Sequence, residues 1–252
     1  MLAFGGGNTR HAPEESMIIT AVSDLHGDLI PAADLPDADV LVIAGDVLPD
    51  DYHFSYKEVM GTSRVMRQGR WFDEIWVPYL ITLKEKFPHV LWIGGNHDFY
   101  LQAIMSPLIR ERMPPGVHYL VEDLVEINGI RFYGAPWNCT RGWAFCLDEE
   151  DHATRLARVP DDIDVLITHG PPGHATIDGL QAYCSAELGQ WVHRHASTLK
   201  AVICGHIHEA YGTYKMWGVP VYVVSSKNRD YELVNPPVVI NIPDKEPIVN
   251  AD

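Results

Sequence analysis

The sequence predicts an α/β fold, a layered β-sandwich core flanked by helices, and three observations carry the prediction. Five short apolar runs, rich in β-branched residues and ending at Gly or a polar residue, lie at 17–22, 40–44, 89–93, 164–168 and 200–204. Short runs bounded in this way read as buried strands. Between the second and third runs, "SYKEVM…GRWFDEIWVPYLITLKEKF" spaces its large apolar residues as a helix does. Later segments, "GIRFYGAPW", "TYKMWGVPVYVVSS" and "PPVVINIP", read as further strands. Strands alternating with helices, with β structure added after them, stack in layers.

Taken in order, residues 1–16 form a polar, Gly-rich lead-in, and 17–252 read as a single domain. Pro78 marks a start or a kink in the long helical stretch, because its ring removes a backbone donor. "SAELGQWVHRHAS" (185–197) is a second helix candidate with Ser185 as N-cap. No repeat of solenoid period and no low-complexity tract interrupts this order.

The chain has 252 residues, 46% of them apolar and 21% charged, which is enough material for a real core. Its formal charge of −15 repels phosphate backbones, so stable nucleic-acid binding is not expected. No run of apolar residues is long enough to span a membrane. The opening residues lack a basic region leading into a long apolar one, so the expected location is cytoplasmic. The four cysteines, Cys139, Cys146, Cys184 and Cys204, show no CxxC spacing and are read as reduced thiols.

All five predicted strands run into polar, potentially ligating residues. They end in Asp24-Leu25-His26, Gly45-Asp46, Gly95-Asn96-His97-Asp98, His169-Gly170 and Gly205-His206-Ile207-His208. Functional groups in open α/β sheets gather beyond the carboxyl ends of the strands. Each segment alone could be a turn, an N-cap or a pair of structural histidines. Chance does not readily account for all five at the same end of a strand. Asp24, His26, Asp46, Asn96, His169, His206 and His208 together give seven N/O donors and no thiolate. That is too many for one tetrahedral ion and suits two ions sharing a carboxylate. The imidazoles argue against calcium and leave Mn²⁺, Fe or Zn²⁺, which ligand chemistry does not separate; Mn²⁺ is the expected ion.

D-x-H, G-D, G-N-H-D, His-Gly and G-H-x-H in this order resemble the calcineurin-like metallophosphoesterase superfamily. "YGAPWNCTRGWAF", "THGPPGHATIDG", "GHIHEAYG" and "NPPVVINIP" are similar to its metallophosphoesterase-domain-containing branch. The resemblance implies that Asp24, His26, Asp46 and His208 hold one divalent ion. It implies that Asp46, Asn96, His169 and His206 hold the other, with Asp46 as the bridge. A hydroxide between the ions would then attack phosphorus in line. Asn96 would also help place the substrate phosphate. His97 would not ligate but would point towards the leaving group as general acid, and Asp98 would fix its loop rather than touch metal.

The implied activity is a metal-dependent phosphodiesterase acting on small nucleotide-type diesters, 2′,3′- or 3′,5′-cyclic nucleotides among them. Related patterns sharpen this. Protein Ser/Thr phosphatases read GDxxDRG and RGNHE, whereas here Val47-Leu48-Pro49-Asp50 comes after Asp46 and Gly94 replaces the Arg. The supporting Asp and the phosphate-clamping Arg of that group are therefore missing. Some branch members have lost the first His of GHxH, but this chain keeps His206, so both ions and full activity are expected. A phosphomonoesterase or nuclease is the alternative enzyme, and a catalytically weak metal-binding scaffold the alternative from another class. Oligomeric state is left open. Trp137, Trp143, Phe145 and Arg141 read as core packing or as a base-stacking lid. His174 reads as a surface residue, with reach to the substrate as the alternative, and His193 and His195 read as solvated.

Overall fold

The computed structural model describes residues 16–173 and 184–243. His174, expected at the surface, lies outside them, as does most of the polar lead-in. One sheet contains β1 (Ser16–Val22), β2 (Val40–Ala44), β3 (His89–Ile93), β4 (Val117–Tyr119) and β11 (Val238–Pro243), in the order β11-β1-β2-β3-β4. The other contains β5 (Asp123–Ile127), β6 (Ile130–Ala135), β7 (Val165–Thr168), β8 (Ala201–Cys204), β9 (Gly212–Met216) and β10 (Val219–Val223), in the order β5-β6-β7-β8-β10-β9. β1, β2, β3 and β4 run parallel, as do β6, β7, β8 and β10, while β11, β5 and β9 pair antiparallel.

Side-chain alternation explains why the five runs are apolar throughout. Val40, Val42 and Ala44 of β2 meet Val165 and Ile167 of β7 and Ala201 and Ile203 of β8 between the sheets. The intervening Leu41 and Ile43 pack outward, with Phe72, Trp76, Leu80 and Leu83, under α2 (Arg64–Trp71) and α3 (Val77–Lys86). Three shorter helices, α1 (Tyr56–Gly61), α4 (Phe99–Ala103) and α5 (Ser106–Arg110), also precede β4 in the chain. On the opposite outer face, Leu166 and Val202 pack against Leu156 of α6 (Glu149–Leu156) and Leu188, Trp191 and Val192 of α7 (Ala186–Arg194). A strand covered on both faces has no polar side to show. The result is the expected layered β-sandwich flanked by helices.

Local signals account for the element ends. Ser185 caps α7, its Oγ accepting from the Leu188 amide at 3.1 Å. A π-turn over Phe72–Trp76 joins α2 to α3, so Pro78 falls at the start of α3 rather than inside an unbroken α-helix. The β9–β10 hairpin turns at Trp217-Gly218, both at positive φ, as a two-residue hairpin turn with right-handed twist requires. No described helix is long and apolar enough to cross a membrane.

Candidate metal centre

The carboxyl ends of β1, β2, β3, β7 and β8 converge, although the first three belong to one sheet and the last two to the other. A bridge between Ser23 and Ser225 ties the sheets together beside them. Sharp turns aim the functional side chains inward. Asp24, His26, Asp46 and His206 adopt φ of 55°, 47°, 52° and 71°, a left-handed region that L-residues occupy at a cost. A Cβ on Gly95 would collide with Asp46 and lie 2.7 Å from His169 Cε1, so only glycine lets this backbone pass so close.

All seven expected donors meet; six are buried and His206 is half-buried. His26 Nε2 lies 3.3 Å from His208 Nε2 and 3.8 Å from Asp46 Oδ2. His208 Nε2 lies 3.6 Å from Asp24 Oδ1. Asn96 Oδ1 sits 2.8 Å from His169 Nε2 and 2.7 Å from His206 Nδ1, with Asp46 Oδ2 3.2 Å from His169 Nε2. Asp24, His26 and His208 can offer one ion three atoms, Asp24, Asp46 and His169 form a second such group, and His26, Asp46 and His97 a third.

The far nitrogens of the imidazoles show how these groups are turned. His169 Nδ1 donates to the Ala44 carbonyl at 2.9 Å, and His208 Nδ1 donates to the Asn228 carbonyl at 2.9 Å. His26 Nδ1 lies 3.0 Å from Asp50 Oδ2. With the Nδ1 protons of His169 and His208 committed outward, their Nε2 atoms face the carboxylate oxygens of Asp46 and Asp24, and a cation can take the place of the Nε2 proton there. The residues present therefore fit a divalent metal pair.

Electrostatics agree. Burial, joined by the charge of His169, pushes His206 down to about 3, and burial also lowers His26, so both are neutral and able to ligate. Burial works against the charged form of His169, yet the Asp46 carboxylate holds it up at about 9 when no metal is present. Burial would raise Asp24, but hydrogen bonding and charge from His208 hold it well below the usual carboxylate range.

Several contributing residues carry no motif. Asp50 accepts from His97 Nδ1 at 2.7 Å and faces His26 with its other oxygen. This corrects the expectation that no supporting Asp exists: it lies one residue beyond the GDxxD spacing, and the turn brings it back. Thr140 Oγ1 lies 2.8 Å from His206 Nε2. Ser23 Oγ and Ser225 Oγ donate to Asp24 Oδ2 at 2.5 and 2.7 Å. Asp98 accepts from the amides of Gly95, Leu48 and Val47 at 2.7, 2.8 and 3.2 Å, so it fixes the loops as expected. Burial, with the nearby Asp46 charge, pushes its carboxyl up to about 7 despite those amides. The aromatic segment divides: Trp137 is 3% exposed and belongs to the core, whereas Trp143 is 37% exposed, its ring 4.3 Å from that of His97.

A sequence model of calcineurin-like phosphoesterases matches residues 17–210. The chain belongs to the calcineurin-like phosphoesterase family. Metallophosphoesterase domain-containing protein 1 of Homo sapiens and that of Mus musculus are each 30% identical to it over 250 residues, covering 88% of this chain and 70% of theirs. The Caenorhabditis elegans UPF0046 protein T07D4.2 is 28% identical over 244 residues, covering 86% of this chain and 58% of that one. A crystal structure at 15% identity shares the fold with a TM-score of 0.58, covering 82% of this chain and 90% of that chain. This calcineurin-like phosphoesterase is accordingly a metal-dependent hydrolase, and its resemblance to the metallophosphoesterase-domain-containing branch holds.

Proposed function

We propose that the chain is a phosphodiesterase for small nucleotide-type diesters, with two divalent ions, Mn²⁺ preferred, at the converging strand ends. Asp24, His26, Asp46 and His208 would hold one ion, and Asp46, Asn96, His169 and His206 the other. The observation that carries the reading is His97: it lies beside both ligand sets, but its Nδ1 is taken by Asp50. A ring so anchored presents Nε2 to the cavity, where it can deliver a proton to a leaving oxygen.

When bound, the ions would supply Lewis acidity and an activated water for in-line displacement. The remaining work falls to the chain. Asp50 fixes the tautomer and orientation of His97. The charges of Asp46 and Asp50 raise the imidazole above its ordinary value although burial opposes them, which favours its protonated form. Asn96 turns Oδ1 to the imidazoles, so its amide nitrogen is the group that can donate to a phosphoryl oxygen. Thr140 holds the far nitrogen of His206.

The test is Mn²⁺-stimulated hydrolysis of bis-p-nitrophenyl phosphate compared with p-nitrophenyl phosphate. Diester preference supports the reading. Monoester preference supports a phosphomonoesterase, and bound metal without turnover supports a scaffold.

A further inference from the structure

We propose that the cavity beyond His97 is the leaving-group subsite, and that Tyr52, Trp143 and Tyr231 shape it for an uncharged planar group of the kind a nucleoside presents. The inference rests on the phosphodiesterase reading and deepens it.

Two cavities of about 600 Å³ each adjoin, and the residues lining both are His97, Trp143 and Tyr231. The first opens onto Asp46, Asn96, His206 and His208. The second opens onto Asp50 and Tyr52. A general acid must reach the oxygen that departs, so the departing group lies on the side to which the acid belongs. His97 stands on the shared boundary, and Asp50, which holds it, lines the second cavity.

The rings bordering that cavity are held in place yet left open to solvent. Tyr52 is 59% exposed and Tyr231 is 40% exposed. Lys227, with 0% of its side chain exposed, donates from Nζ to Asp28 Oδ2 at 2.6 Å and to the Tyr52 hydroxyl at 3.0 Å. Its ammonium also lies 5.5 and 5.9 Å from the ring centroids of Tyr52 and Tyr231. Burying an ammonium is costly, and here the burial immobilises two aromatic side chains. Tyr231 is held at φ 61°, where a bulky residue is strained. Asn228 maintains that turn, its Oδ1 accepting from the Asp230 and Glu232 amides at 2.9 and 3.0 Å. The Asn228 carbonyl that orients His208 also accepts from the Tyr231 amide at 3.0 Å, tying the aromatic wall to the metal centre.

Rigid exposed aromatic faces beside a reaction centre suit stacking on a flat ring. Charge narrows the choice. Asp51 and Asp230 border the cavity, and its arginine, Arg64, is paired with Asp51 at 3.1 Å. A leaving group bearing its own phosphate would meet carboxylates there.

Calorimetric titration of the metal-stripped full chain with adenosine, ribose and choline reads this subsite without chemistry. Adenosine is expected to bind, and ribose and choline are not expected to bind at the same concentrations. Tyr52→Ala and Trp143→Ala, both at exposed positions and checked by thermal melting, should each weaken adenosine about tenfold. Choline binding in place of adenosine, or adenosine binding unchanged in both variants, would overturn the proposal. Diester turnover without adenosine binding would overturn the subsite alone. Adenosine binding without any diester turnover would overturn the underlying reading and leave a nucleoside site.

Discussion

Asp50 Oδ1 lies 2.7 Å from His97 Nδ1, while the other oxygen of the same carboxylate lies 3.0 Å from His26 Nδ1. One side chain thus holds the proposed acid by a hydrogen bond and lies at ion-pair distance from a proposed metal ligand. A residue placed in this way affects protonation and coordination together.

Asp50→Asn should lower turnover about 10–100-fold, the usual range for a residue that orients a metal ligand. The sign of its pH effect is fixed. His97 acts in its protonated form, so activity is lost as pH rises through its raised folded value. Removing the Asp50 charge removes part of that rise, so the alkaline limb of the kcat profile should move to lower pH. An unmoved limb would separate Asp50 from the acid.

His97→Ala should keep both metals and lose about 10²–10⁴ in turnover. Metal content by elemental analysis, measured on the same sample as turnover, checks this. Loss of metal would make His97 a ligand.

Asp46→Ala should lose metal and activity together. Asp46 Oδ2 lies 3.2 Å from His169 Nε2 and 3.8 Å from His26 Nε2, between the two ligand sets. A neutral side chain there leaves two cations without a shared anion. A metal-replete, active variant would rule out the bridge.

Metal binding should release protons and tighten as pH rises. His169, held at about 9 without metal, and His208, raised by Asp24 against its burial, must both deprotonate to ligate. Below about pH 9 the ion that His169 would hold therefore competes with a proton on that imidazole. In the metal-free chain the same shift stabilises the fold fully below the ordinary histidine range, and that contribution fades as pH rises through about 9. Calorimetry in buffers of different ionisation enthalpy would count the protons released.

Much of this site was legible because its strands are covered on both faces. β2 and β3 read as uninterrupted apolar runs, and the polar residues after them stand out against that background. The assignment of each strand to one sheet or the other was not legible, since strands of either sheet obey the same pattern. The β5–β6 hairpin turns at Asn128-Gly129, where both residues take positive φ, 49° and 79°. Thr140, Lys227 and Tyr231 carried no local signal. Each reaches the site from a loop distant in sequence, so only tertiary placement gives it a role. His195, read as solvated, instead stacks on Trp191 with ring centroids 3.9 Å apart and lies 3.0 Å from Asp161. Its position at the end of α7 was predictable, but the neighbour it would meet across the layer was not.

The dinuclear reading stands or falls on a titration of the chelator-stripped chain with Mn²⁺, with bound metal and bis-p-nitrophenyl phosphate hydrolysis measured in the same samples. Two ions per chain are expected, with diester turnover appearing as the second site fills. Full activity at one ion per chain, or two bound ions with no diester turnover, would contradict it.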